Sequence, residues 1–221
     1  MVLLQILRDY HEAILNGLGV TLKLSLVIWF GGLLVGGLVG TASDRWKKGV
    51  GLPLRFGSFV LSGLPILVLL FWLHYPLQSI LGIVVDPFYT AAAALILVNA
   101  VLVADVVKNT LNDFPHQYVI AAQVCGLSAR DTVIRIQIPI VFRQMLPGLL
   151  MIQVTMLQST LFASLISVDE IFRVAQRINA MVYRPVEVYT ALGAFFLAIC
   201  LPLNALATQL RRRYTRDLSE R

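Results

Sequence analysis

Apolar residues run through this chain in long blocks, interrupted by a few polar stretches. The blocks cover about 15–42, 56–74, 88–107, 140–168 and 188–210. Each approaches or exceeds the roughly 20 residues that an α-helix needs to cross a bilayer. The pattern predicts an all-α, polytopic membrane protein: five transmembrane helices forming a single domain over 15–213, with 214–221 as a tail. Ahead of them, residues 1–14 set Leu3, Leu4 and Leu7 against Arg8, Asp9, His11 and Glu12. That mixture predicts a short amphipathic segment lying at the membrane surface. In the first block Gly32, Gly36 and Gly40 recur every fourth residue, a spacing that lets another helix come close. Pro65 interrupts the second block and predicts a kink. Asp169 to Glu187 read as an external loop.

Composition narrows the class. With 58% hydrophobic and 14% charged residues, the chain has too few charges to cover the surface of a soluble domain. A formal charge of +6 would suit a nucleic acid, but the cations stand in loops beside the spans. Membrane topology accounts for them, and no nucleic-acid partner is expected. With the amino terminus outside, thirteen of the eighteen Lys and Arg fall on the inner side, and Arg8, Arg173, Arg177 and Arg184 on the outer. The positive-inside rule then puts the carboxyl terminus and the 115–139 loop in the cytoplasm. Lys23, within the first span, reads as snorkelling to the interface, with a place along a solute path as the alternative.

Several chemistries have no residues to run on. No GxxxxGK[ST] stretch is present, so the chain is not expected to hydrolyse ATP. His11, His74 and His116 are scattered, and Cys125 and Cys200 share no metal-ligand spacing, so no metal or disulfide is expected. The early charges and the long first block do not read as a cleavable signal.

The polar stretch Tyr118–Pro139, YVIAAQVCGLSARDTVIRIQIP, is the most informative. It predicts a helix over about Gln117–Cys125, ended by Gly126 in a left-handed cap. Ser128, three residues before Asp131, predicts the start of a second short helix with an apolar stripe of Val133, Ile136 and Ile140. The paired alanines, Gly126 and Ile138-Pro139 resemble the Glu-Ala-Ala…Gly…Ile-x-Pro loop of permease subunits of bacterial ABC importers, in particular the polar amino acid and opine branch. Thr21-Leu22-Lys23-Leu24-Ser25, Asn99, and the run Asn179…Tyr183-Arg184-Pro185…Glu187-Val188-Tyr189 are similar to the same branch.

The resemblance implies a type I importer permease fold. It implies a complex with ABC ATPase subunits, a second permease and a periplasmic solute-binding protein, importing an amino-acid-like solute across the inner membrane. ATP and Mg would be bound by the partner ATPases. Ile120, Ala121, Ala122, Gly126, Leu127, Ser128 and Pro139 would form the coupling element that docks on the ATPase. Asn99, Gln158, Ser159, Thr160 and Glu187 are candidate solute-path residues, with interhelical hydrogen bonding as the alternative for each membrane polar residue. Three departures stand out. Ile120 replaces the family Glu, Gln158-Ser159-Thr160 replaces Lys-Asp-Thr, and the Arg-Gly-Thr-Pro of the second span is reduced to Gly63 and Pro65. They imply a heterodimer whose partner keeps the more typical residues. A self-sufficient carrier or channel is the alternative, which an odd number of spans without an evident internal repeat disfavours. An assembly scaffold would leave the Ala-Ala/Gly loop without a role.

Overall fold

The computed structural model describes residues 2–219, and no strand occurs among them. The short helix α1 (Val2–Asp9) leads at Tyr10 into α2 (His11–Arg45), which encloses the first apolar block. A π-turn over Lys47–Gly51 links α2 to α3 (Leu52–Gly63), followed by α4 (Ile66–His74) and α5 (Pro76–Leu81). Then come α6 (Pro87–Asn112), α7 (Gln117–Val124) and α8 (Ala129–Thr132). A second π-turn, Val133–Gln137, runs into α9 (Ile138–Ser159), which tightens into a 3-10 segment over Thr160–Ile166. The chain continues through α10 (Ile171–Val182) and α11 (Pro185–Ser219).

Among the described residues, four stretches are long and apolar enough to cross a membrane: His11–Arg45, Pro87–Asn112, Ala129–Ile166 and Pro185–Tyr214. The second apolar block is not a straight span. Its halves, Lys47–Gly63 and Ile66–Leu81, meet at 100° and supply a fifth crossing only as a bent pair. The break follows from chemistry at one dipeptide. Leu64 precedes a proline and is pushed to an extended conformation (φ −101°, ψ 118°), while Pro65 offers no N–H to continue α3. The expected kink at Pro65 is therefore a break between two helices.

The tightest seam joins α2 to α6. A Cβ on Gly36 would come within 2.5 Å of the Ala100 carbonyl oxygen, and one on Gly40 within 2.8 Å of the Val107 Cβ. At Gly32 it would collide with the Asn99 side chain. The four-residue glycine spacing thus acts as the sequence suggests, letting α6 lie against the α2 backbone. Around this seam Leu24, Ile28, Leu70, Leu95, Met156 and Ile166 form the largest buried cluster.

The stretch Asp169 to Glu187 departs from its reading as a loop, since twelve of its residues form α10. Ile171, Val174, Ala175 and Ile178 repeat at three and four residues and bury one face against α1, α2 and α11. Gly17 accommodates that approach, because a Cβ there would sit 2.8 Å from Val174 Cγ2.

Candidate coupling and translocation site

The short helix α7 stands apart from the bundle, directly after α6. Its carboxyl end is closed by two backbone bonds: Leu127 N–H donates to the Ala122 carbonyl at 3.0 Å and Gly126 N–H to the Gln123 carbonyl at 3.0 Å. That pairing is a Schellman motif, and it needs a residue at positive φ, here Gly126 at +76°. The cap fixes which side chains look outward. Ala122 is buried, whereas Ile120 is 61% and Val124 82% exposed, and Ala121 and Cys125 are exposed beside them. Small and apolar side chains on a solvent-facing helix make a surface that another protein can approach closely.

Beyond the cap, Ser128 Oγ accepts from Asp131 N–H at 3.1 Å and donates to Asp131 Oδ2 at 2.6 Å, while Arg135 pairs with Asp131 at 3.2 Å. The capping box is therefore modified, because Asp is too short to reach back to the Ser128 N–H and meets the hydroxyl instead. Pro139 sits in the first turn of α9, and the π-turn precedes it. A proline ring crowds the carbonyl four residues back and removes a donor, and the wider turn relieves both conflicts. Leu127 is half-buried under this corner.

The five solute-path candidates do not gather in one place. Asn99 is fully buried: its Nδ2 donates to the Ile28 carbonyl at 2.9 Å and to Gln153 Oε1 at 3.1 Å, and its Oδ1 accepts from Gln153 Nε2 at 3.3 Å. Trp29 Nε1 donates to the Gln153 carbonyl at 3.0 Å, so α2, α6 and α9 are tied at one level. Asn99 is thus turned into this chain's own interior by an interhelical bond. Ser159 and Thr160 are also buried, and their hydroxyls donate to the carbonyls of Thr155 and Leu157. Gln158, one residue round the helix, is exposed. Glu187 lies in the first turn of α11, 3.7 Å from Arg184.

A further polar cleft of about 300 Å³ lies between α3 and α6, lined by Ser58, Ser62 and Asp105 among apolar neighbours. The buried Ser58 hydroxyl has no hydrogen-bond partner. Asp105 carries no mark of this grouping in the sequence. That α3 would turn Ser58 and Ser62 toward it depended on the break at Pro65.

The end of the bundle opposite α7 is built around Glu170, in a stretch that the sequence pattern presents as loop. Its carboxylate accepts from Phe172 N–H at 2.9 Å and Arg173 N–H at 2.8 Å, capping α10. Burial raises its pKa from 4.5 to about 7, against the lowering effect of those two bonds and of the Arg173 charge. Thr21 Oγ1 accepts from Ile171 N–H at 3.0 Å, and Arg173 Nη1 donates to the Ser164 carbonyl at 2.9 Å. Tyr183-Arg184-Pro185 makes the next corner: Tyr183 caps α10 in the left-handed region (φ 50°) and Pro185 opens α11.

A bent second apolar block, a short helix with exposed apolar side chains at the α6 end and the capped amphipathic helix α10 make up the architecture of the chain. The family described as "Binding-protein-dependent transport system inner membrane component" matches residues 32–216. This chain belongs to that family. The octopine transport system permease of Rhizobium radiobacter is 32% identical over 209 residues, covering 90% of this chain and 84% of the relative. The glutamine transport system permease of Escherichia coli K12 is 27% identical over 203 residues, covering 90% and 92%. Among solved structures, an amino acid ABC transporter solved with histidines superposes with a TM-score of 0.83 at 23% identity, over 94% of this chain and 96% of that one. A methionine ABC transporter in an inward-facing form gives 0.68 at 17% identity, over 94% and 98%. The chain is a multi-pass inner-membrane permease with the all-α fold of these transporters.

Proposed function

We propose that this permease forms half of the membrane channel of an ATP-driven importer for polar amino acids or opine-like conjugates. The observation that carries the reading is α7: a short, capped helix that exposes Ile120, Ala121 and Val124 together with Gln117 and Gln123, and no charge. Such a surface, hinged to α6 and α9, suits docking into a groove of an ABC ATPase, which binds the ATP and Mg. Closure of two ATPases would draw two such helices together and tilt the spans attached to them. The octopine, glutamine, nopaline, cystine and arginine permeases among its relatives support the substrate class.

The solute path would run between this chain and a second permease, since a small bundle with a filled core has little room within it. Gln158, exposed next to buried Ser159 and Thr160, and Glu187 at the external corner are our candidates for lining it. Asn99 would act indirectly, by bracing the helices behind that surface. The Ser58–Ser62–Asp105 cleft beside the broken span gives the inner half of the path a polar wall. The amino terminus would be outside and the carboxyl terminus inside, with a periplasmic binding protein delivering solute at α10 and α11. The departures at Ile120 and Gln158-Ser159-Thr160 favour a heterodimer.

Purification of the tagged chain in mild detergent, with the associated subunits identified by mass, tests the reading. A Walker-type ATPase together with a second five-span permease is the expected result. An ATPase without a second permease would remove the heterodimer. Solute flux by the chain alone in ATP-free vesicles would overturn the importer reading.

A further inference from the structure

At the end of the bundle that carries α7, the close of α2, the π-turn, α3 and the close of α6 surround a cleft of about 260 Å³. Its polar lining is Ser43, Asp44, Lys47, Arg55, Lys108 and Asn112. Three cations face a single carboxylate, and none of these four groups takes part in an ion pair among the described residues. The carboxylates that do pair, Asp131, Asp169 and Glu187, lie elsewhere. Like charges held round one cleft repel unless an anion answers them. The geometry is fixed by the π-turn, where Val50 and Gly51 N–H both return to the Trp46 carbonyl, at 2.9 and 3.2 Å. Gly51 is packed so closely that a Cβ would lie 3.1 Å from the Ser43 carbonyl oxygen.

A second observation points to the kind of anion. Trp46, Leu52 and Phe56, which stand on the same turn and the start of α3, are 60%, 65% and 69% exposed. Lys108 and Asn112 mark the level where α6 leaves its apolar run. A basic cleft at the end of the spans, flanked by exposed aromatic and aliphatic side chains, matches a molecule with an anionic head and apolar tails. A free anion would meet the cations but leave the apolar flank without a role.

We propose that this cleft binds the phosphate headgroup of an anionic phospholipid, with the acyl chains lying over Leu52 and Phe56. Only the assignment to the cytoplasmic leaflet rests on the importer reading above. The lipid would hold α3, the first half of the broken span pair, against α2 and α6.

The test uses the whole permease assembly, reconstituted in phosphatidylcholine vesicles doped with phosphatidylglycerol and then transferred to detergent. Lipid retained by the complex is counted by native mass spectrometry. The wild type is expected to prefer phosphatidylglycerol about tenfold, and the K47Q/R55Q/K108Q variant to lose that preference. The R211Q/R212Q/R213Q variant, altered at the end of α11, should keep it. Equal loss in both variants would reduce the effect to diffuse attraction and overturn the site, as would a triple variant that still prefers the anionic lipid. If the triple variant does not assemble, K47Q alone, at an exposed position, is expected to lower the preference about threefold, and no change overturns the site. Displacement of phosphatidylglycerol by inorganic phosphate, itself binding the lipid-free complex, would make the cleft a free-anion site and reject the lipid. Labelling of a Lys47→Cys variant by an impermeant maleimide from outside intact cells would reject the leaflet. ATPase copurification and ATP-dependent uptake report separately on the importer reading, so either proposal can fail alone.

Discussion

The seam between α2 and α6 and the short helix α7 use small residues in opposite ways. At the seam, Gly32, Gly36 and Gly40 remove side chains so that Asn99, Ala100, Val103 and Val107 of the same chain can fill the space. On α7 and its cap, Ala121 and Gly126 leave a surface that nothing else among the described residues covers: beyond its chain neighbours, no atom lies within 4 Å of a Cβ placed on Gly126. Polar groups follow the same division. Asn99 and Gln153 satisfy each other within the bundle, whereas Gln158 faces out of it. Small residues alone do not say whether a surface is already filled. What distinguishes the two regions is whether this chain's own helices fill the space that the small residues leave.

The seam predicts the largest effects. Gly36→Leu places its side chain into the Ala100 carbonyl and should cost about 3 kcal/mol or more, read as loss of monodisperse protein in detergent. An unchanged elution profile and melting temperature would mean that the seam is looser than this packing. Next comes Asn99→Leu, which leaves Gln153 without its partner and should destabilise by about 1–3 kcal/mol. Asn99→Leu combined with Gln153→Leu should cost less than the single change, because no buried amide is then stranded; a larger cost in the double variant would contradict the pairing.

A smaller effect belongs to the external cap. Because the folded-state pKa of Glu170 is raised, the folded protein holds a proton that the unfolded chain releases between pH 4.5 and about 7. Stability should therefore fall as pH rises through that window and level off above it. Glu170→Gln should flatten this dependence in denaturation curves, and an unaltered pH profile would show that the carboxyl does not titrate there. The smallest effect on stability is expected on α7. Val124→Arg, at a position 82% exposed, should leave the melting temperature within about 0.5 kcal/mol equivalents of wild type. If α7 docks on the ATPase, the same change should sharply reduce its copurification; full retention would remove Val124 from that surface.

Much of the coupling corner was legible because its chemistry is local. A glycine after a helix-length stretch, a serine three residues before an acid, and a proline that must open a new helix each act within a few residues of chain. Gly126, Ser128 and Pro139 occupy those positions in the structure. The helix α10 was less legible. Its polar residues give a low average hydropathy that reads as loop, although the repeat of Ile171, Val174, Ala175 and Ile178 at three and four residues is a local helix signal; that α1, α2 and α11 cover that face only the fold reveals. Glu170 shows the same limit, since an acid in a polar stretch gives no sign that it will be buried under Thr21 and Ser164.

By itself, then, the sequence determined the membrane class, the apolar blocks, the glycine-lined face of α2 and the local caps, because each depends on composition or on residues within one or two turns. Tertiary structure decided the rest. It opened the kink that Pro65 announces to 100° and turned Asn99 toward Gln153 within the bundle. It also gathered Lys47, Arg55 and Lys108 round one cleft. These outcomes depend on which face of one helix meets which face of another, and residues tens of positions apart in the chain carry no local trace of that choice.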